Sequence, residues 1–132
     1  MDYSQLSDFE INVAVFEAIH NGSPDYKEGE NGDMVFVSFE GDIVNGDAVE
    51  VEVERGSFNP CANPADAWQI ITENKISTMW MTAEKEWCAW SGGDLEEGCW
   101  EWENIPDYCF CGESPLRAAM IVFLMMQENQ NG

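Results

Sequence analysis

The stretch Ser114-Pro115-Leu116-Arg117-Ala118-Ala119-Met120-Ile121-Val122-Phe123-Leu124-Met125-Met126 decides how the chain folds. Ser114 carries a hydroxyl suited to capping the first free N–H groups of a helix. Pro115 lacks the N–H that would be orphaned at the first helical position and already has a helical φ. From Ala118 to Met126 no side chain is polar, so a helix here has no wet side and needs cover from nearly every direction. It is a core helix or an oligomer seam. Nine apolar residues fall well short of the roughly 18–20 that cross a bilayer, which excludes a membrane span. Polar residues follow, so one ordered domain is expected over 1–128 with a disordered tail over 129–132.

Arg117 is the only charged residue between Pro115 and Gln127, and it falls in the first turn, where the helix dipole disfavours a cation. Something must compensate it. In a chain this acidic the expected partner is a carboxylate, with Asp66 or Glu73 as the candidates, and Arg117 is read as a structural clamp.

Working outward, residues 1–113 supply the cover. Ser7-Asp8-Phe9-Glu10 has the form of a capping box, which opens a helix over 8–20 with Phe9, Val13 and Phe16 on one side and Ile11, Val15 and Ile19 widening the apolar sector. Residues 21–33 read as a loop. A strand over 34–39 is apolar on both faces and should be central. A turn is expected over 41–47, then a strand over 48–54 that alternates strictly, Val49, Val51 and Val53 inward and Glu50, Glu52 and Glu54 outward. Asn63 caps a helix over 64–73, with Pro64 at its first position and Asp66 in the electropositive first turn. It should bury Ala67, Ile70 and Ile71, and Asn74 should close it in the left-handed conformation. A hairpin follows over 76–81 and 86–90, then short strands near 99–102 and 108–111. The order of elements predicts one α+β domain, a mainly antiparallel sheet with three helices, the last packed on the sheet.

With 26 acidic residues against Lys27, Arg55, Lys75, Lys85 and Arg117, the formal net charge is −21. Scattered cations exclude direct binding to nucleic acid or to an anionic membrane surface. Six Trp, seven Phe and three Tyr argue for a packed fold despite the charge. There is no basic-then-apolar leader, so a cytoplasmic protein with free thiols is expected.

Three segments resemble one family, the NinX proteins of lambdoid bacteriophages: Met1 to Asn12, the N-P-A-D-A-W run from Asn63 to Trp68 with Ile70-Ile71 and Glu73-Asn74 after it, and P-L-R-A-A-M-I-V-F-L-M-M from Pro115 to Met126. The resemblance implies a phage accessory protein acting inside an infected bacterium. It carries over no catalytic or binding residue. Residues 21–58 and 78–113 lie outside it.

Motifs for chemistry are sparse. Cys88, Cys99, Cys109 and Cys111, with Cys61 and His20 elsewhere, offer metal-ligating side chains, but structural zinc sites show C-x2–4-C pairs and Cys109-x-Cys111 lacks that spacing. No metal and no cofactor is expected. No nucleophile elbow, P-loop or dinucleotide glycine motif occurs, and a nucleophile with a histidine base would depend on His20 alone. A non-enzymatic role is therefore expected. The six tryptophans read mainly as core.

The acids carry the functional expectation. Duplex DNA bears one charge per roughly 1.7 Å of axis, so 21 charges match about ten base pairs, one footprint of a DNA-binding module. Glu50, Glu52 and Glu54 would step about 6.7 Å apart along a strand. Together with Asp47, Asp94, Glu96, Glu97, Glu101 and Glu103 they are the candidate partner-binding face. Its partner would be the basic surface of a host or phage nucleic-acid-binding protein, inhibited by imitation of DNA charge. The alternative is a partner among the phage's own recombination or replication proteins, without mimicry. A plain solvated surface gives the same composition. The C-terminal helix offers a homo-oligomer seam, and Ser7, Asn63, Ser114, Asp66 and Arg117 are structural.

Overall fold

A computed structural model describes residues 2–95, 102–104 and 106–131 of the chain. After a short 3-10 turn at Tyr3–Gln5, helix α1 spans Asp8–His20. Strand β1 (Tyr26–Glu28), a 3-10 turn at Glu30–Gly32, and strands β2 (Met34–Val44) and β3 (Asp47–Phe58) follow. Helix α2 (Pro64–Glu73) leads into β4 (Ser77–Met81), β5 (Glu86–Ser91), β6 (Asp94–Leu95), β7 (Trp102–Asn104), β8 (Tyr108–Gly112) and helix α3 (Pro115–Asn131). The fold is α+β, with all pairings antiparallel: β1-β2-β3, β4-β5-β8, and the pair β6-β7.

All three expected caps form. The Ser7 hydroxyl accepts from the Glu10 N–H while the Glu10 carboxylate accepts from the Ser7 N–H, each at 3.1 Å. Asn63 Oδ1 accepts from the Ala65 N–H at 3.0 Å. Ser114 Oγ accepts from the Arg117 N–H at 3.3 Å, and the Ser114 carbonyl accepts from the Ala118 N–H at 3.0 Å. These bonds answer donors that a helix start leaves without partners. At the end of α2 it is Lys75, with φ 55°, that takes the left-handed conformation and not Asn74, whose φ is −97°. Asn74 instead sends its side-chain amide back to the Ile70 carbonyl at 2.8 Å.

Helix α3 is the centre of the molecule. Ala118 to Leu124 are all buried, in one cluster with Ile11 and Val15 of α1, Ala67 and Ile70 of α2, and Ala89 of β5. Phe110 and Tyr108 of β8 pack against that cluster from the sheet. The helix continues to Asn131, past the expected end of the ordered domain at residue 128. Gln127 and Glu128 are good helix formers, and Glu128 is tied to the N-terminus by the Tyr3 hydroxyl at 2.7 Å. In α1 the fully buried residues are Ile11, Asn12 and Val15, whereas Ile19 is exposed. The helix is turned toward α3 more than the Phe9–Phe16 side suggests. Phe16 lies beside it, against Phe36 and Phe58 at ring separations of 5.0 and 5.5 Å.

Arg117 is the clamp expected, on a different carboxylate. Its Nη1 donates to Asp8 Oδ1 at 2.8 Å and its Nη2 to the Leu6 carbonyl at 2.7 Å. Asp66 and Glu73 line a cavity with Phe123 and Gln127, two turns further along α3, out of reach of its first turn. Asp66 accepts instead from the Asn59 N–H at 2.9 Å.

Candidate interaction surface

β2 is the central strand of its sheet, as expected, but it does not stop at Phe39. It runs to Val44 because Asn45 and Gly46, with φ 53° and 85°, form a two-residue hairpin turn. Both φ values are positive, the combination for which Asn-Gly is the preferred pair, and its twist matches that of the flanking strands. Gly41 and Asp42, read in the sequence as the start of a turn, sit inside the strand. β1 covers only residues 34–36 of β2. Beyond that point β2 and β3 form a two-stranded ribbon.

The register assigns its two faces. One carries Val37, Phe39, Gly41 and Ile43 opposite Glu54, Glu52, Glu50 and Ala48; the other carries Ser38, Glu40, Asp42 and Val44 opposite Val53, Val51, Val49 and Asp47. Each face therefore sets apolar side chains opposite acids over most of its length, and from Phe39 to the turn both faces are open to solvent, while Val37 at the base is buried. Ile43 is 74% exposed and Phe39 54%, with Val44, Val49 and Val51 exposed as well. The expectation of an inward valine face on β3 is corrected here. Strict alternation says that two faces differ, not that either is covered: Val49 and Val51 are exposed with acids for cross-strand neighbours, while Val53 is half-buried opposite Ser38.

The acids are partly answered. Lys27 Nζ lies 2.8 Å from Glu52 and 3.0 Å from Glu54, and the two carboxylates hold its pKa above the ordinary lysine value. Arg55, at a bulge between the register pairs of Phe36 and Val37, bonds Glu40 and donates to Ser38 Oγ at 2.8 Å. Asp47, Glu50, Glu52 and Glu54 thus share one ribbon with Glu40 and Asp42, which the sequence reading did not single out. Asp94 and Glu103 belong to the separate pair β6-β7. Glu96, Glu97 and Glu101 lie outside the described residues, as does the strand expected from residue 99.

At the base of the ribbon is a cavity of about 470 Å³ lined by Glu17, Asp25 and Glu52 together with Tyr26, Val37 and Phe39. Three carboxylates around an apolar floor suit a lysine or arginine side chain, whose aliphatic stem packs on carbon while its head meets charge. The missed apolar residues had one legible signal: Ile43 and Val44 directly precede Asn45-Gly46, a pair that marks a tight hairpin when apolar residues flank it.

Elsewhere, His20 closes α1 with its ring 4.3 Å from Phe16. It shares a cavity of about 420 Å³ with Asp66 and Glu73. Trp68 and Trp80 are exposed and Trp90 is buried, so the expectation of tryptophans as core holds for Trp90 and not for Trp68 or Trp80. Trp80 stands edge-on to Trp87 at 5.6 Å. Among the described residues no helix is long and apolar enough to cross a membrane. Cys88, Cys109 and Cys111 converge on one face of the β4-β5-β8 sheet, because the register sets Cys88 opposite Cys111.

The family described as Bacteriophage P22, NinX matches residues 2–127. The match extends over residues 21–58 and 78–113, so the ribbon lies within it. No curated protein and no solved structure matches the chain.

Proposed function

The chain belongs to the bacteriophage P22 NinX family, and from its exposed ribbon we propose that it is a non-enzymatic binding protein that docks on a basic surface of a host nucleic-acid-handling or defence protein and blocks it. The observation that carries this reading is the placing of Phe39 and Ile43 among Glu50, Glu52 and Glu54 on one exposed face. Interfaces draw most of their energy from a few apolar or aromatic anchors, while charge around them sets partner choice and association rate. A net charge of −21 steers the protein toward cations, and the cavity beside Phe39 receives one.

The contact competes with DNA because both present a row of negative charge to the same basic groove. The test is displacement. Purified protein added to a host nucleic-acid-binding target should release labelled DNA, with affinity falling as salt rises, and Phe39→Ser should raise the concentration needed by about tenfold or more. Capture from infected cells that recovers no nucleic-acid-binding protein would count heavily against the proposal.

One observation favours a second reading, a partner among the phage's own recombination or replication proteins with no imitation of DNA. Lys27 answers two of the three glutamates in the row, which breaks its likeness to a run of phosphates and leaves more of the affinity to the apolar anchors. Co-purification with a phage-encoded protein, without DNA competition, would select it.

A further inference from the structure

Spacing along the chain argued against a metal site, because Cys109-x-Cys111 is too short a pair and Cys88 is far away in sequence. Sheet pairing overrides that argument. Cys88 on β5 is the register partner of Cys111 on β8, and Cys109, two residues from Cys111, projects to the same side. All three sulfurs lie within 4.8 Å of one another, and Cys88 Sγ is 3.4 Å from Cys109 Sγ. We propose that Cys88, Cys109 and Cys111 form a three-thiolate site for one soft, thiophilic metal ion, of the Cu(I) or zinc class.

The geometry fits such an ion. A metal about 2.3 Å from each sulfur holds the sulfurs about 3.8 to 4.0 Å apart; the Cys88–Cys109 pair at 3.4 Å is a few tenths of an ångström closer, and all three sulfurs lie within 4.8 Å of one another. The thiols stand on paired strands, which place ligands more rigidly than loops do. Cys88 is buried, Cys111 half-buried and Cys109 exposed, so the site is enclosed at one end and open to an entering ion at the other. Thiolate donors select soft ions, and a set of three with no fourth His, Cys, Asp or Glu among the described residues within 4.8 Å of all three sulfurs suits three-coordinate Cu(I), or zinc completed by water. Binding replaces three S–H bonds by three metal–sulfur bonds and releases three protons to solvent, with no change of oxidation state.

The experiment uses the reduced, untagged full chain under anaerobic conditions. Cu(I) and zinc are titrated separately against chromophoric chelators, and the loaded protein is alkylated and mapped. One equivalent of either ion should bind and protect Cys88, Cys109 and Cys111 from alkylation, and the competition will show which ion is held more tightly. Cys109→Ser, at an exposed position where folding should be undisturbed, should weaken binding by more than about 100-fold, beyond what losing an outer-shell partner costs. Cys61→Ser, outside the cluster, should bind as wild type does. Failure of both ions to bind at one equivalent, or equal affinity in Cys109→Ser with an unchanged circular dichroism spectrum, would overturn the site. So would a Cys88–Cys109 disulfide in freshly purified protein that refuses metal after reduction.

Discussion

Asn12 of α1 donates its side-chain amide to Asn59 Oδ1, beyond the end of β3, at 2.7 Å in the interior of the protein. The same amide reaches the Gly32 carbonyl at 3.0 Å, and Asn12 Oδ1 accepts from the Cys61 N–H at 3.1 Å. Asn59 in turn donates to the Asn31 carbonyl and to Asp33 Oδ1. Two buried amides thereby join α1, the turn before β2 and the approach to α2. Leaving a buried polar group without its partner costs on the order of 1–3 kcal/mol. Asn59→Ala orphans more than one, so we expect a loss of about 3 kcal/mol in urea unfolding. Asn59→Asp removes the donors and sets a carboxylate against Asp33, and should be less destabilising at acid pH than at neutral pH.

Arg117→Ala should lower stability by about 2 kcal/mol, the scale of a hydrogen bond to a charged group. The Asp8 side chain is 42% exposed, so water answers much of the carboxylate, and the Leu6 carbonyl is the costlier loss. Arg117→Lys should recover only part, since one ammonium on a flexible stem does not reproduce the guanidinium fork that holds both groups. Partner binding should be unchanged in both variants. A melting temperature unchanged in Arg117→Ala, with binding lost, would move Arg117 from the scaffold to the functional surface.

The Tyr3–Glu128 bond makes stability depend on alkaline pH. Burial and the facing carboxylate raise the Tyr3 pKa from 10.0 to about 12, so between those values the unfolded chain loses its phenolic proton first. Stability is then fully present below pH 10 and falls as pH climbs toward 12. On the acid side the same bond holds Glu128 below its ordinary range, and its contribution disappears as pH drops through that lowered value. Tyr3→Phe should flatten the alkaline slope, read from melting temperatures taken across pH 9 to 12 (the range being set by the Tyr3 values).

On the ribbon, stability and binding should separate. Ile43→Ser and Phe39→Ser change side chains that are 74% and 54% exposed, so unfolding should shift by no more than about 0.5 kcal/mol. Partner affinity should fall by about tenfold or more in each if these are anchors. Lys27→Ala, which frees Glu52 and Glu54, should speed association with a basic partner and steepen its salt dependence, measured by stopped flow at several ionic strengths. Equal binding by all three variants would remove the ribbon from the interface.

The family match over residues 2–127 includes Phe39, Ile43 and the three thiols, all of which the resembling segments had left out. The elements that were legible beforehand share one property: their causes are local. Ser7, Asn63 and Ser114 cap within three residues of themselves, Pro64 and Pro115 start helices by their own ring geometry, and the unbroken apolar run of α3 states its need for cover without naming what covers it. These determined the three helix starts and the α+β class. What only the tertiary structure decided depends on which distant segment arrives alongside. The covering of α3 brings the start of α1 against its first turn, which gives Arg117 to Asp8 and leaves Asp66 to Asn59. Antiparallel register puts Cys88 beside Cys109 and Cys111, across 21 and 23 residues of chain. Val49 and Val51 stand in solvent although their alternation reads as a buried face, because pairing with β2 satisfies the edge of β3 and does not cover its faces. A side-chain period fixes the direction in which each residue points, and only the packing of other elements determines what it meets there.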